Sequence, residues 1–367
     1  MSKVIVKKAT YDYASLKPLI FAIMDALGGE RIKDCKRVLI KPNLLATAKP
    51  DEAVVTHFML VKAVAEYVLE KGAIPQVSDS PAFGSFDKIL KESGISDALQ
   101  GLDVECREFR ESVPGDVGEP FGVIDLAREA VEAEMIINLP KLKTHTQMLL
   151  TLGVKNMFGC VVGLRKPEWH MKMSVNRDMF ARLLVRIYER LKPSFTILDG
   201  ILAMEGEGPR KRGIPRRLDI IIAGCDAFAV DAAVCRMIGL ETDLLPTLKV
   251  AKELGILDDE LNIEGDLLRI GDFQLPTMVY PMLGPRMMHG FIRRYLLQRP
   301  VCDNDLCQVC GECWEFCPAG AIARNAETLF FDYNRCIRCY CCIEVCPYGA
   351  LHTVEPVPGR VLRRVIR

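Results

Sequence analysis

Eight cysteines in this chain fall into two copies of one pattern, CQVCGECWEFCP and CIRCYCCIEVCP. The first holds Cys307, Cys310, Cys313 and Cys317 before Pro318; the second holds Cys336, Cys339, Cys342 and Cys346 before Pro347. Both read C-x2-C-x2-C-x3-C-P. Ten of the fifteen cysteines lie between Cys302 and Cys346, and the N-terminal residues MSKVIVKKATYDYASLKP lack the apolar run of a secretion signal. Thiols clustered in this way, with no export signal, point to metal ligation rather than disulfides. The scattered Cys35, Cys106, Cys160, Cys225 and Cys235 read instead as small apolar residues of the interior.

The duplicated runs, followed by AGAI and YGAL, resemble a bacterial-type ferredoxin domain carrying two 4Fe–4S clusters. That resemblance implies that Cys307, Cys310, Cys313 and Cys346 hold one cluster and Cys336, Cys339, Cys342 and Cys317 the other. It leaves Cys302 and Cys341 outside the ligand set. Zinc sites with four thiolates also use C-x2-C pairs, but two identical runs each closing on Cys-Pro favour the iron–sulfur reading. Two adjacent clusters would relay single electrons between a redox partner protein and an acceptor, with Trp314, Phe316, Ile337 and Tyr340 shielding them. Such centres suit an anaerobic setting.

A second constellation is basic. Between Lys141 and Lys172 there are five lysines, Arg165 and two of the chain's five histidines, against one acid, Glu168. These cations alternate with Gly, Met and Leu rather than with acids, the pattern of a pocket for phosphate, carboxylate or sulfonate. Lys141, His145 and Lys155 are the candidates for catalysis, with His145 or His170 as proton donor. Lys41, Asn43, Asp79, Lys143, Asn156, Asp199 and Glu205 are the candidates for binding a ligand or cofactor. The ligand would be a small anionic substrate, a flavin or a further anionic cofactor.

The elements that must position these residues are short apolar runs alternating with helical patterns. RVLIKPNLL, AIPQVSD, AEMIINLPKL, SFTILDGI and LDIIIAG read as buried strands. THFMLVKAVAEYVLEKGA reads as a helix with Thr56 as N-cap and Gly72 at its end, and RDMFARLLVRIYERLKP as a helix stopped by Pro193. The fold class is therefore α/β: a mostly parallel sheet with helices on both faces, followed by a small α+β ferredoxin-like domain. Ligands of such sheets gather beyond the carboxyl ends of the strands. KPN, DSPAFGS, KLKTH, DGILAMEGEGP and GCDAFAVD are expected there. No GxGxxG, GxxxxGK[ST] or G-x-S-x-G pattern occurs, which weighs against dinucleotide, P-loop and hydrolase chemistry.

LIKPNLL, VSDSPAFGS, LPKLKTHTQMLLTLGVKNMFG and LDGILAMEGEGP together resemble the family catalogued as domain of unknown function 362, over roughly residues 36–240. That family often carries a ferredoxin tail in anaerobic bacteria and archaea, so the resemblance implies an architecture and no particular reaction.

Lysine plus arginine equals aspartate plus glutamate, 48 each, and no long uncharged apolar run is present. No nucleic-acid partner and no transmembrane segment are expected, and the default location is cytoplasmic. The expected divisions are an α/β domain over 1–280, a basic linker helix over 281–299, the ferredoxin domain over 300–355 and a basic tail over 356–367. Arg286, Arg293, Arg294 and Arg299, with GRVLRRVIR at the end, could contact a membrane surface or an acidic partner. The function expected is an iron–sulfur oxidoreductase. The alternatives are a noncatalytic electron-transfer or docking subunit and a metal or cluster maturation factor.

Overall fold

A computed structural model describes residues 1–81, 84–163, 165–173, 176–258, 260–277, 295–325 and 328–358. The strands in chain order are β1 (Ser2–Lys8), β2 (Arg37–Pro42), β3 (Ile74–Val77), β4 (Glu105–Cys106), β5 (Ser112–Asp116), β6 (Val123–Ala127), β7 (Ile136–Leu139), β8 (Lys141–His145), β9 (Leu149–Thr151), β10 (Phe195–Gly206), β11 (Gly213–Gly224) and β12 (Leu261–Glu264). The helices are α1 (Tyr13–Ala26), α2 (Phe58–Glu70), α3 (Phe86–Glu92), α4 (Ile95–Leu99), α5 (Arg128–Val131), α6 (Gly153–Asn156), α7 (Arg165–Met173), α8 (Arg177–Leu191), α9 (Ala227–Ile238) and α10 (Pro246–Glu253).

Ten strands form one sheet in the order β12-β1-β11-β10-β7-β2-β3-β4, with β8 beside β10 and β9 beside β8. Most pairings are parallel; β11 runs antiparallel to both neighbours, and β9 antiparallel to β8. Alternation along each strand divides the core. Val4, Leu39, Leu198, Ile220 and Ile222 join α8, α9 and α10 on one face. Ile5, Val38, Ile40, Ile197 and Ile221 join α1, α2 and α3 on the other. Two covered faces explain why the central strands read as continuous apolar runs.

The structure corrects several local expectations. AEMIINLPKL is not one strand: Pro140 interrupts it, β7 pairs with the start of β10, and β8 resumes further along the same edge. KLKTH is thus strand rather than loop, and DGILAMEG likewise continues β10. Thr56 does not cap α2. His57 does, accepting from the Met59 N–H, while the buried Thr56 hydroxyl links the Asn43 N–H to the Leu139 carbonyl. Asp226 caps α9 and Asp231 accepts the first N–H groups of α6, so GCDAFAVD serves helix ends. Of the scattered cysteines, Cys160 and Cys235 are buried, Cys35 is half-buried, and Cys106 and Cys225 are exposed.

The C-terminal segment has two small antiparallel pairs, Arg299–Cys302 with Leu351–Val354 and Ile322–Arg324 with Leu329–Phe331, and two short helices, Glu312–Glu315 and Cys341–Val345. Arg299 opens the first strand and lies over the Tyr333 ring. Arg286, Arg293 and Arg294 and residues 359–367 lie outside the described residues. Among the described residues no helix is long and apolar enough to cross a membrane.

Candidate functional site

Beyond the carboxyl ends of β2 and β3 lies a cavity of ≈ 280 Å³ with walls from both halves of the chain. The α/β half brings Lys41 from the end of β2 and Asn43 just after it, Asp79 and Ser80 after β3, Lys143 and His145 from β8, Lys155 and Asn156 from α6, and Lys166 and His170 from α7. The cysteine-rich segment brings Phe316, Cys341 and Glu344.

Eight residues singled out in the sequence meet here: Lys41, Asn43, Asp79, Lys143, His145, Lys155, Asn156 and His170. Lys41 Nζ is fully buried and lies 2.8 Å from Asp79 Oδ1. Gly159 makes that pairing fit, since a Cβ there would collide with both Asp79 and Lys41. Lys143 Nζ donates to Asn43 Oδ1 at 2.7 Å and to the Val54 carbonyl at 2.6 Å. The Asn43 amide donates to Asn156 Oδ1, and the Asn156 amide donates to Asn138 Oδ1 and the Lys41 carbonyl. Burial, and then the neighbouring Lys155 charge, drives the Lys143 amine well below the ordinary lysine range. Burial also lowers Lys155, which Glu344 and Cys341 face.

Three candidates lie elsewhere. Lys141 is sealed against Asp199 at 2.9 Å and against the Tyr11 hydroxyl, and Asp199 also accepts from Tyr11 and the His57 N–H. Glu205 pairs with Arg216 at 2.8 Å and accepts from the Gln274 N–H. These satisfied pairs hold β10 to its neighbours and do not line the cavity. His145 is present but engaged. Its Nδ1 accepts the Gln147 and Met148 N–H groups, so the proton sits on Nε2, which faces Glu344 Oε1 at 2.9 Å. Burial lowers its pKa further. Such an imidazole is poorly placed to donate a proton to a ligand.

Sequence reasoning missed Glu344 and Lys166. Glu344 stands between Cys342 and Cys346, where the cysteine pattern absorbs attention. Burial alone would raise its carboxyl, but His145, Lys155 and His170 outweigh that and hold it near 2. Lys166 Nζ donates to the Ser80 carbonyl at 2.7 Å, and burial pushes its pKa down to about 8. Cys341, left outside the ligand set by the cysteine spacing, is buried in the cavity wall.

The cysteine-rich segment groups its thiols across the two runs. Cys307, Cys310, Cys313 and Cys346 line one small hollow. Burial raises the Cys342 thiol, and Cys339, Cys336, Cys317 and Cys313 raise it further. Thiols pooled in this way suit iron–sulfur ligation, which is made by cysteine thiolates. Cys302 adjoins the first set, beside Cys307.

A family model described as Domain of unknown function (DUF362) matches residues 38–236, which carry the cavity's α/β wall. The chain belongs to this family. A 4Fe-4S binding domain model matches residues 303–323 and again 329–352, so this DUF362 member is an iron–sulfur electron-transfer protein and implies a redox partner. Over 303 residues it is 34% identical to the thylakoid-associated protein sll1697 of Synechocystis sp., covering 80% of this chain and 94% of that one. Among solved structures, the lactate racemase apoprotein from Thermoanaerobacterium thermosaccharolyticum aligns with TM-score 0.42 and 12% identity over 70% of this chain. A Thermotoga maritima protein aligns with TM-score 0.39 and 16% identity over 68% of this chain. The chain spans 58% and 60% of those two structures respectively.

Proposed function

We propose that the chain is an iron–sulfur oxidoreductase whose α/β half binds a small organic anion in the shared cavity. The observation that carries this reading is the double origin of the walls. Lys41, Lys143, Lys155 and Lys166 come from one half, while Phe316, Cys341 and Glu344 come from the segment that binds iron and sulfur. Cys341 lies between Cys339 and Cys342, and Phe316 precedes Cys317. All three of those cysteines belong to the second ligand set, so a cavity occupant sits against that set.

In this reading Cys307, Cys310, Cys313 and Cys346 hold one 4Fe–4S cluster and Cys336, Cys339, Cys342 and Cys317 the other. Bound there, the clusters supply single electrons. The chain's own residues do the rest. The Lys41–Asp79 pair and the Asn43–Asn156–Asn138 chain fix the floor of the cavity. Lys155 has no hydrogen-bonded partner among the described residues and offers its ammonium to the anion, stabilising charge that builds as electrons arrive. Phe316 and Leu44 supply apolar wall to the same cavity. The cavity is at the small end of ligand pockets, which favours a compact anion over a flavin.

A cytoplasmic protein fed by a soluble redox partner is the simplest setting. The name of the Synechocystis relative favours peripheral membrane contact as a variant of it.

The test is anaerobic calorimetry with small organic anions on the iron-loaded protein. Lys41→Met and Lys155→Met should keep fold and iron yet lose roughly 1.5–3 kcal/mol of affinity, the size of a hydrogen bond to a charged group. Full affinity in both variants would move the site elsewhere.

A further inference from the structure

Helix α7 packs Trp169 and Met173 against the core, yet it also buries two polar residues. A surface helix ordinarily turns its apolar side inward, but here Lys166 and His170 are each only 8% exposed while Met171 is 45% exposed. The two buried residues are four apart, so they share one helix face. Both line the cavity. Lys166 uses one of its N–H groups on the Ser80 carbonyl. His170 Nδ1 is buried with no hydrogen-bond partner among the described residues, and its ring is held between Phe158, edge-on at 5.8 Å, and Phe180 at 4.5 Å. A buried ring nitrogen left unpaired costs stability unless something else in the cavity bonds it. His145 cannot serve the ligand in this way, because backbone N–H groups and Glu344 already engage it.

We propose that Lys166 and His170 form the recognition face for the anion. Lys166 takes its charged end, and His170 hydrogen-bonds it beside an aromatic wall. This rests on the cavity being an anion site, as argued above, and adds the class of molecule. At the Lys166 end the charged groups are Lys41, Lys166 and Asp79, two cations against one carboxylate, which suits a monoanion. The remaining walls include Phe158, Phe316, Pro81 and Pro167. The matching ligand is a small monocarboxylate with a planar, unsaturated or aromatic body. Inorganic phosphate would find too much apolar surface in those walls.

Anaerobic calorimetry on the full iron-loaded chain tests this with benzoate, acetate and inorganic phosphate. Benzoate should bind at least about tenfold more tightly than the other two. Lys166→Met and His170→Phe should each weaken benzoate binding at least about tenfold while iron content and melting temperature hold. His170→Gln, which keeps a hydrogen-bonding group, should stay within about threefold of the unaltered protein. Should His170→Phe not fold, Lys166→Met and His170→Gln carry the same test. If Lys155→Met loses benzoate while Lys166→Met and His170→Phe bind it normally, the cavity reading stands and this inference fails. Phosphate binding as tightly as benzoate would also overturn it. If the unaltered protein binds none of the three, both readings fall.

Discussion

His145 Nε2 lies 2.9 Å from Glu344 Oε1, joining strand β8 of the sheet to the helix between two cysteines of the C-terminal segment. The approach has ion-pair length, though Oε1 lies off the line of a well-formed hydrogen bond. Close by, Arg210 donates to the Glu344 and Val345 carbonyls at 3.2 and 2.8 Å. These contacts fix the cysteine-rich segment over the strand ends. His145→Ala would leave the buried Glu344 without its nearest partner, and a loss of about 1.5–3 kcal/mol in unfolding free energy is expected. Denaturant titration under anaerobic conditions measures it, and an unchanged midpoint would show that the contact holds nothing.

Gly159→Ala isolates the geometry of the Lys41–Asp79 pair. Gly159 needs no left-handed backbone, so alanine adds only a methyl group where Asp79 and Lys41 already meet. Anion affinity should fall by about tenfold or more, with iron content unaffected. Unaltered affinity would mean that the pair has no part in binding.

Anion binding should depend on pH through Lys166. Burial lowers its pKa, Asp79 pulls it back up and Lys41 lowers it again, for a value of about 8. The ammonium is present below that value and lost above it. Affinity should therefore be flat at neutral pH and decline as the pH rises past about 8. Lys166→Arg should move the decline upward, because a guanidinium stays charged. A decline at the same pH in Lys166→Arg would assign the titration to another group.

Iron content separates ligand thiols from the extra ones. The protein should hold about eight irons per chain, from two four-iron groups. Cys339→Ser should deplete one group, while Cys341→Ser should keep both. Equal loss from the two variants would contradict the assignment.

The iron–sulfur segment was legible because three cysteines of each run lie within a few residues of one another and the duplication is visible in the letters. The α/β class was legible because buried parallel strands must be apolar on both faces. The site was legible only in part. Lys141 and His145 are four letters apart, but on an extended strand that is roughly 13 Å, so Lys141 meets Asp199 and Tyr11 while His145 reaches Glu344. Glu205 follows β10 out to Arg216. Glu344 is about 200 residues from His145 in the chain, a pairing that no local pattern encodes. Lys166 and His170 become a pair only once residues 165–173 are known to be helical and turned inward.

The central claim is that a cavity occupant and the second cluster are close enough to influence one another. Binding and reduction must then be coupled, each altering the other by the same free energy. The direct measurement is an anaerobic redox titration of the iron-loaded protein, with and without benzoate at a concentration that calorimetry shows to be saturating. The potential of one cluster should become more negative with the anion bound, since a negative charge beside it disfavours reduction, while the other stays in place. Two potentials unmoved by saturating anion would contradict the account.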